Sequence, residues 1–331
     1  MEIFLDKKPV GEGHGPYFIA CINKQHRLCI EQARALIRMA KKSGADAVEL
    51  EAYTADTVTL PVYEDSFKIN IDGREAFLYD YCKTVYTPWE WYEDLILTAK
   101  TEKISIVGVP SNEASVDFLE EMAKPAFYKI TAWDLGHIPL LKKVAACHKP
   151  VLLEFNFATS EEIQTALAIF KREECPVILM NVASENEVCL KNFETAQSFD
   201  CLFGLVDDFS DDSLSLCAVT LGACVIEKQI TLSSEDPKAL SKEQFSALIS
   251  KCNKIFSALN VPRKLNESMR HLRRSIYVAK PIQKGEVFSE KNLKIIRPGY
   301  GLPPSHWDSI LGKTSNKDLA FGHPLSQQDI A

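Results

Sequence analysis

VLLEFNFATSEEIQTALAIFKREECPVILMNV, residues 151–182, contains a strand, a helix start and a second strand. VLLEF (151–155) and VILMNV (177–182) are short, continuous apolar runs, the pattern of parallel strands buried on both faces. Between them Ser160 precedes Glu161 and Glu162, an N-cap followed by acids where the helix dipole favours them. A strand, a helix and a parallel strand form one right-handed crossover unit.

The same alternation runs outward in both directions. Further strand candidates are FIACI (18–22), AVELEAY (47–53), ISIVGVP (104–110), FYKIT (127–131), LFGLV (202–206) and CVIEKQI (224–230). Helical signals lie between them. Ile30, Ala33, Leu36, Ile37 and Ala40 form one stripe over 28–42, and Gly44 stops it. Ser111 or Asn112, Ser210 and Ser241 each open a further helix. Eight units in about 245 residues predict a closed (β/α)8 TIM barrel, with any chemistry at the C-terminal ends of its strands. The one long insertion, 54–91, is aromatic-rich and includes Trp89 and Trp91. It is expected over the mouth as a lid or partner surface.

After Leu259 the texture becomes polar and basic, then turns to short strands with turn residues. The expected organisation is a barrel over 1–260, a linker over 261–272 and a β-rich module over 273–331. The net charge of −7 and the absence of a clustered basic face argue against a nucleic-acid partner. The N-terminal stretch lacks a signal-peptide core, and no apolar stretch reaches the ~20 residues that span a bilayer. Ten cysteines without a CxxC pair, several inside apolar runs, read as reduced thiols of a cytoplasmic protein.

Four segments carry a resemblance: IRMAKKSGADAVELEAY, FYKITAWDLGHIPLLKKVAACHKPVLLEFNFATSEEI, LGACVIEKQITL and RRSIYVAKPIQKGEVFSEKNLKIIRPGYGLPP. In this order, over nearly the whole chain, they resemble the bacterial sialic acid synthase family, a TIM barrel followed by a small antifreeze-like (SAF) domain. The resemblance implies a reaction in which phosphoenolpyruvate attacks the metal-bound aldehyde of an N-acetylmannosamine-type sugar. Water then adds and phosphate leaves. Such chemistry needs a divalent cation to polarise the aldehyde, and Lys, Ser and Thr donors for phosphate and carboxylate. It also implies a homodimer in which the SAF domain of one chain covers the barrel of the other.

The family's site positions carry other residues here. Cys21 stands where an AEIGxNH-like pattern has its acid/base Glu, Glu49 where KFQ has its phosphate Lys, and Glu154 where STGMAT has its Ser. A carboxylate a few ångströms from a phosphate costs several kcal/mol at intermediate dielectric. Lys129 matches a phosphate-binding Lys, and it reads equally as a structural Lys neutralising Glu154 or Glu49. Asp134 replaces a Glu, Ser184 is retained, and Asn186 stands at a Tyr position near the sugar. Arg297 matches an arginine that reaches the neighbouring subunit's sugar site, or it fixes a turn with Pro298 and Gly299.

Both metal His of the family, from SDHT and EKH patterns, are replaced, by Asp208 and Gln229. With Asp207 or Glu227 these are candidate ligands for a hard cation such as Mg²⁺, or for Mn²⁺; otherwise they form a solvated acidic rim. Three functions stay open on the sequence. One is a synthase-family protein without the standard reaction, an assembly partner of a competent synthase. The second is an active phosphoenolpyruvate-dependent synthase with altered metal or sugar. The third is a carbohydrate-binding protein that uses Trp89 or Trp91.

Overall fold

Each of the eight apolar runs is a strand in the computed structural model, which describes every residue except 72–73, 185–191, 234–235 and 262–266. The chain opens with an antiparallel hairpin that the sequence reading lacks, β1 (Glu2–Leu5) and β2 (Lys8–Gly11). Strands β3 (Tyr17–Cys21) and β4 (Ala47–Ala52) follow, then a second hairpin, β5 (Lys68–Ile71) and β6 (Arg74–Phe77), inside the insertion. Next come β7 (Ser105–Pro110), β8 (Phe127–Ile130), β9 (Val151–Glu154), β10 (Val177–Ala183), β11 (Leu202–Asp207) and β12 (Val225–Gln229). Strands β3, β4 and β7 to β12 close into one parallel barrel in chain order.

Helices separate the strands: α1 (Ile30–Ser43), α2 (Ala55–Val58), α3 (Leu78–Val85), α4 (Tyr92–Glu102) and α5 (Glu113–Met122). The second half adds α6 (Ile138–Ala145), α7 (Ser160–Arg172), α8 (Asn192–Ser198), α9 (Ser213–Thr220) and α10 (Lys242–Asn260). Gly44 ends α1 at φ 96°, a left-handed cap that a side chain would strain. The N-cap of α7 is Thr159, one residue before the expected Ser160. Its hydroxyl accepts from Glu162 N, and the Glu162 carboxylate accepts from Thr159 N. Helix α9 starts at Ser213 rather than beside Ser210, with Asp212 at its N-cap position.

The barrel interior changes character along its axis. Ile19, Ala47, Phe127, Leu152 and Val225 belong to one apolar cluster, which Ile3, Leu5 and Val10 of the first hairpin join. Side chains two residues apart share a strand face. One such step onward along each strand, the interior residues are Cys21, Glu49, Lys129, Glu154 and Glu227. Gly204 of β11 makes room in the apolar layer, because a Cβ there would lie 2.3 Å from Met180 Sδ.

The chain forms two compact units, Met1–Val261 and Pro262–Ala331. The second unit pairs β13 (Ser275–Val278) with β14 (Leu293–Ile296) and adds the short helix α11 (Trp307–Ile310). Ile276, Val278, Phe288, Leu293, Ile310 and Leu325 lie in its core. Of the expected linker, residues 262–266 lie outside the described residues, and Glu267–Leu272 form 3-10 turns. No helix among the described residues is long and apolar enough to cross a membrane.

Candidate functional site

Lys129, on β8, has its ammonium among three carboxylates from three other strands. Its Nζ lies 2.5 Å from Glu49 Oε2 (β4), 2.6 Å from Glu227 Oε1 (β12) and 3.1 Å from Glu154 Oε1 (β9). All four residues are buried. Two carboxylates have further anchors. Asn23 Nδ2 donates to Glu49 Oε1 at 2.8 Å, and the backbone N–H of Ala132 donates to Glu154 Oε2 at 3.0 Å. The third has none: Glu227 Oε2 is buried without a hydrogen-bond partner. Cys21 completes the layer, with its thiol 3.6 Å from Glu49 Oε1.

The electrostatics follow from burial. Desolvation would lower the pKa of Lys129, but Glu227, Glu49 and Glu154 together outweigh it and hold the ammonium firmly charged. Burial and then the neighbouring carboxylates push Glu227 well above the ordinary carboxylate range. Burial raises Glu154 as well, against the pull of Lys129 and the Ala132 N–H. One layer nearer the mouth, burial and Glu49 push Glu51 up to about 7. Burial and Glu49 also raise the Cys21 thiol, which is therefore no ready nucleophile.

The other candidate residues are placed differently. Asp207 faces away from the barrel axis. It is fully buried, pairs with Lys228 Nζ at 3.0 Å and accepts from Ser215 Oγ at 2.6 Å. That removes it from the mouth-facing acids proposed as metal ligands. Lys228 also donates to the carbonyls of Phe209 and Asp211, tying down the loop before α9. Asp208 and Gln229, at the former His positions, bond to each other, with Gln229 Nε2 donating to Asp208 Oδ1 at 3.2 Å. Burial raises the pKa of Asp208 and of Asp134, whose carboxylate accepts from Thr131 Oγ1 at 2.8 Å.

Ser184 is half-buried just beyond the end of β10, and Asn186 lies outside the described residues. Arg297 is exposed. The turn it was offered for is held by other groups: Ser275 Oγ donates to Pro298 O, and Arg270 Nε donates to Gly299 O.

A divalent cation does not fit the residues as they stand. Among the described residues, the acid, thiol or imidazole ligands that come within 4.8 Å of one another in a group of three are Cys21, Glu49 and Glu227. The Lys129 ammonium sits directly against the two carboxylates of that group. Asp207 is turned away, Glu227 is engaged with Lys129, and Asp208 and Gln229 hold each other.

The aromatic expectation also shifts. Trp89 stacks on Phe118 with centroids 4.2 Å apart, and Trp91 packs edge-on against His26 at 5.5 Å. Both pack partly buried against the core. The exposed pair is elsewhere: Trp133, after β8, and Phe157, after β9, are 80% and 62% exposed and stack with centroids 5.3 Å apart. Phe157 holds φ at +64°, a strained value for a non-glycine residue. The signal that could have found them is a large apolar residue in a polar loop directly after a strand. Asn23 was missed too, although it braces Glu49 and accepts from the backbone N–H of Glu51 at 3.3 Å. His26, five residues past Cys21 as the His of AEIGxNH is five past its Glu, is a packed side chain 3.2 Å from Thr87 Oγ1.

Comparison with known proteins agrees with this architecture. The NeuB family description matches residues 36–264, and the SAF domain description matches residues 273–331. A pseudaminic acid synthase of Campylobacter jejuni is 32% identical over 333 residues, covering 95% of this chain and 96% of that protein. A pseudaminic acid synthase of Helicobacter pylori is 31% identical, over 95% of this chain and 98% of that protein. The crystal structure of the spore coat polysaccharide biosynthesis protein SpsE of Bacillus subtilis shares the fold, with a TM-score of 0.65 at 24% identity, covering 100% of this chain and 99% of that one. The chain belongs to the NeuB family and carries a C-terminal SAF domain.

Proposed function

We propose that this chain serves nonulosonic acid biosynthesis without performing the phosphoenolpyruvate condensation that its resemblance implies. The supporting relatives are the pseudaminic acid synthases, which align with 95% of this chain. The observation that carries the proposal is the engagement of Lys129, the residue at the phosphate-binding position, by Glu49, Glu154 and Glu227. Phosphoenolpyruvate brings a phosphate and a carboxylate. Each unpaired carboxylate at ~5 Å repels a unit negative charge by about 3 kcal/mol at an effective dielectric of 20. With Lys129, the cation of this layer among the described residues, already paired to three acids, the site disfavours that substrate.

The role that remains is assembly, with a second copy of this chain and with a competent synthase of the same pathway. Charge supports the homodimer: residues 1–261 carry 26 Lys+Arg against 39 Asp+Glu, whereas residues 262–331 carry 12 against 6. A basic SAF unit complements the acidic barrel mouth of a partner copy. The exposed Trp133–Phe157 stack provides an apolar anchor of the kind that interfaces bury. Cysteines spread without a CxxC pair, several in apolar runs, support a cytoplasmic location.

The test is phosphate release from phosphoenolpyruvate with N-acetylmannosamine and related amino sugars, with Mn²⁺ or Mg²⁺, beside a competent synthase. Background release supports the proposal. Release that depends on both sugar and metal overturns it in favour of an active enzyme with altered ligands.

A further inference from the structure

We infer that Lys129 is the resident cation of a metal cage, and that its removal converts this layer of the barrel into a divalent-metal site. The cage draws on five strands: Cys21 from β3, Glu49 from β4, Lys129 from β8, Glu154 from β9 and Glu227 from β12.

Three observations carry the inference. First, Cys21 Sγ and one oxygen each of Glu49 and Glu227 already lie within 4.8 Å of one another. Bonds of ~2.1–2.3 Å to Zn²⁺ place tetrahedral donors about 3.4–3.8 Å apart, so a modest contraction suffices. Second, the ammonium stands 2.5 and 2.6 Å from the two carboxylates of that group and 3.1 Å from Glu154, the place of a bound ion. Third, Glu227 Oε2 is buried with no hydrogen-bond partner, so one ammonium leaves the donor set incompletely satisfied. Three carboxylates and a thiol suit a divalent ion better than a single positive charge on a stem. The thiol favours Zn²⁺ or Co²⁺ over Mg²⁺. On binding, the metal takes the place of the thiol proton, which is released to solvent.

The native chain therefore holds no metal in this layer, and its stability does not depend on one. The inference is independent of whether the chain condenses phosphoenolpyruvate, because metal content is read without substrate.

The experiment strips the native chain, Glu227→Gln and Lys129→Leu with EDTA, dialyses each against Zn²⁺, and measures bound metal per chain and melting temperature. The expected result is equal metal content in native and Glu227→Gln. Lys129→Leu should gain about one equivalent with a metal-dependent rise in melting temperature. Adding Glu227→Gln to Lys129→Leu should abolish that gain. With Co²⁺ as the probe, Lys129→Leu should show a thiolate charge-transfer absorption that Cys21→Ala removes. If Lys129→Leu folds only when Zn²⁺ is present, the inference is supported. If it folds in neither condition, Lys129→Leu with Glu154→Gln, one carboxylate fewer, is read by the same criteria. Zn²⁺ bound by the native chain and lost in Glu227→Gln would overturn the inference. So would a folded Lys129 variant that takes up no extra metal.

Discussion

Lys129 Nζ lies 2.6 Å from Glu227 Oε1 although their strands, β8 and β12, stand opposite each other in the barrel ring. The contact ties the interior across its width in the layer where the family resemblance places substrate binding. Glu49 and Glu154 close on the same ammonium from β4 and β9. The layer is thus internally neutralised in part, with three acids to one cation among its described residues.

This excess makes the cluster respond asymmetrically to mutation. Lys129→Leu leaves three buried carboxylates without their cation and is expected to cost about 3–5 kcal/mol. Glu227→Gln leaves Lys129 with two carboxylates and removes a poorly satisfied one, so it is expected to cost under ~1 kcal/mol. Urea unfolding of the two variants at neutral pH checks the order. A larger loss in Glu227→Gln than in Lys129→Leu would contradict the described balance.

The same acids predict a pH dependence. A carboxyl whose folded pKa is raised holds its proton more tightly when folded. Its stabilising contribution is present below the unfolded pKa and is lost as pH rises through the folded value. Glu51 rises from 4.5 to about 7, and Glu154 and Glu227 move in the same direction. Burial lowers the pKa of His26, which acts in the opposite sense. The difference between native chain and Glu51→Gln isolates one group. The native chain should lose on the order of 1–2 kcal/mol relative to the variant between pH 4.5 and 7, a span reduced because Glu51 is only half-buried. Unfolding midpoints that track together across this range would rule out the assignment.

The buried ion pair behind the sheet is expected to be structural. Lys228→Met strands the Asp207 carboxylate, with Ser215 and the Phe209 N–H as its remaining partners. A loss of about 3 kcal/mol is expected, together with faster amide exchange in the loop before α9. A variant as stable as the native chain would show that the hydrogen bonds alone suffice.

Self-association should depend on both charge and the exposed rings. Salt screens an acidic barrel against a basic SAF unit, so raising ionic strength from about 0.05 M to about 0.5 M should weaken the dimer. The double variant Trp133→Ala with Phe157→Ala should weaken it at both salt concentrations, at least about tenfold. Sedimentation velocity over a concentration series reads both effects. A dimer indifferent to salt and to the two rings would place the interface elsewhere.

The barrel strands were legible in the sequence because buried parallel strands are written as unbroken apolar runs, VLLEF and VILMNV most plainly. The N-terminal hairpin was not, since each of its strands, Glu2–Leu5 and Lys8–Gly11, is too short to show a period. At the site, the identity of the replaced positions was readable, but their direction was not. Asp207, the last residue of β11, and Asp208, just past it, are neighbours in sequence, yet one bonds Ser215 of α9 and the other Gln229 of β12, and only a fixed register tells which is which. Lys129 was offered as either an anion binder or a partner of Glu154 or Glu49. The structure gives it both of these carboxylates and adds Glu227, 98 residues away, a pairing that only closure of the barrel creates. Trp133 and Phe157 are not legible because their loops also carry apolar residues that turn inward, Leu135 and Phe155, and their stacking arises from two adjacent strands.

The most direct test of the central claim, that this barrel no longer offers an anion site, is calorimetric titration of the native chain with phosphoenolpyruvate, with Mn²⁺ and without, beside a competent synthase. The expected result is no saturable heat for this chain at phosphoenolpyruvate concentrations that saturate the control. Saturable one-to-one binding that weakens when Lys129 is replaced would contradict it, because the ammonium would then have to leave its three carboxylates for the phosphate.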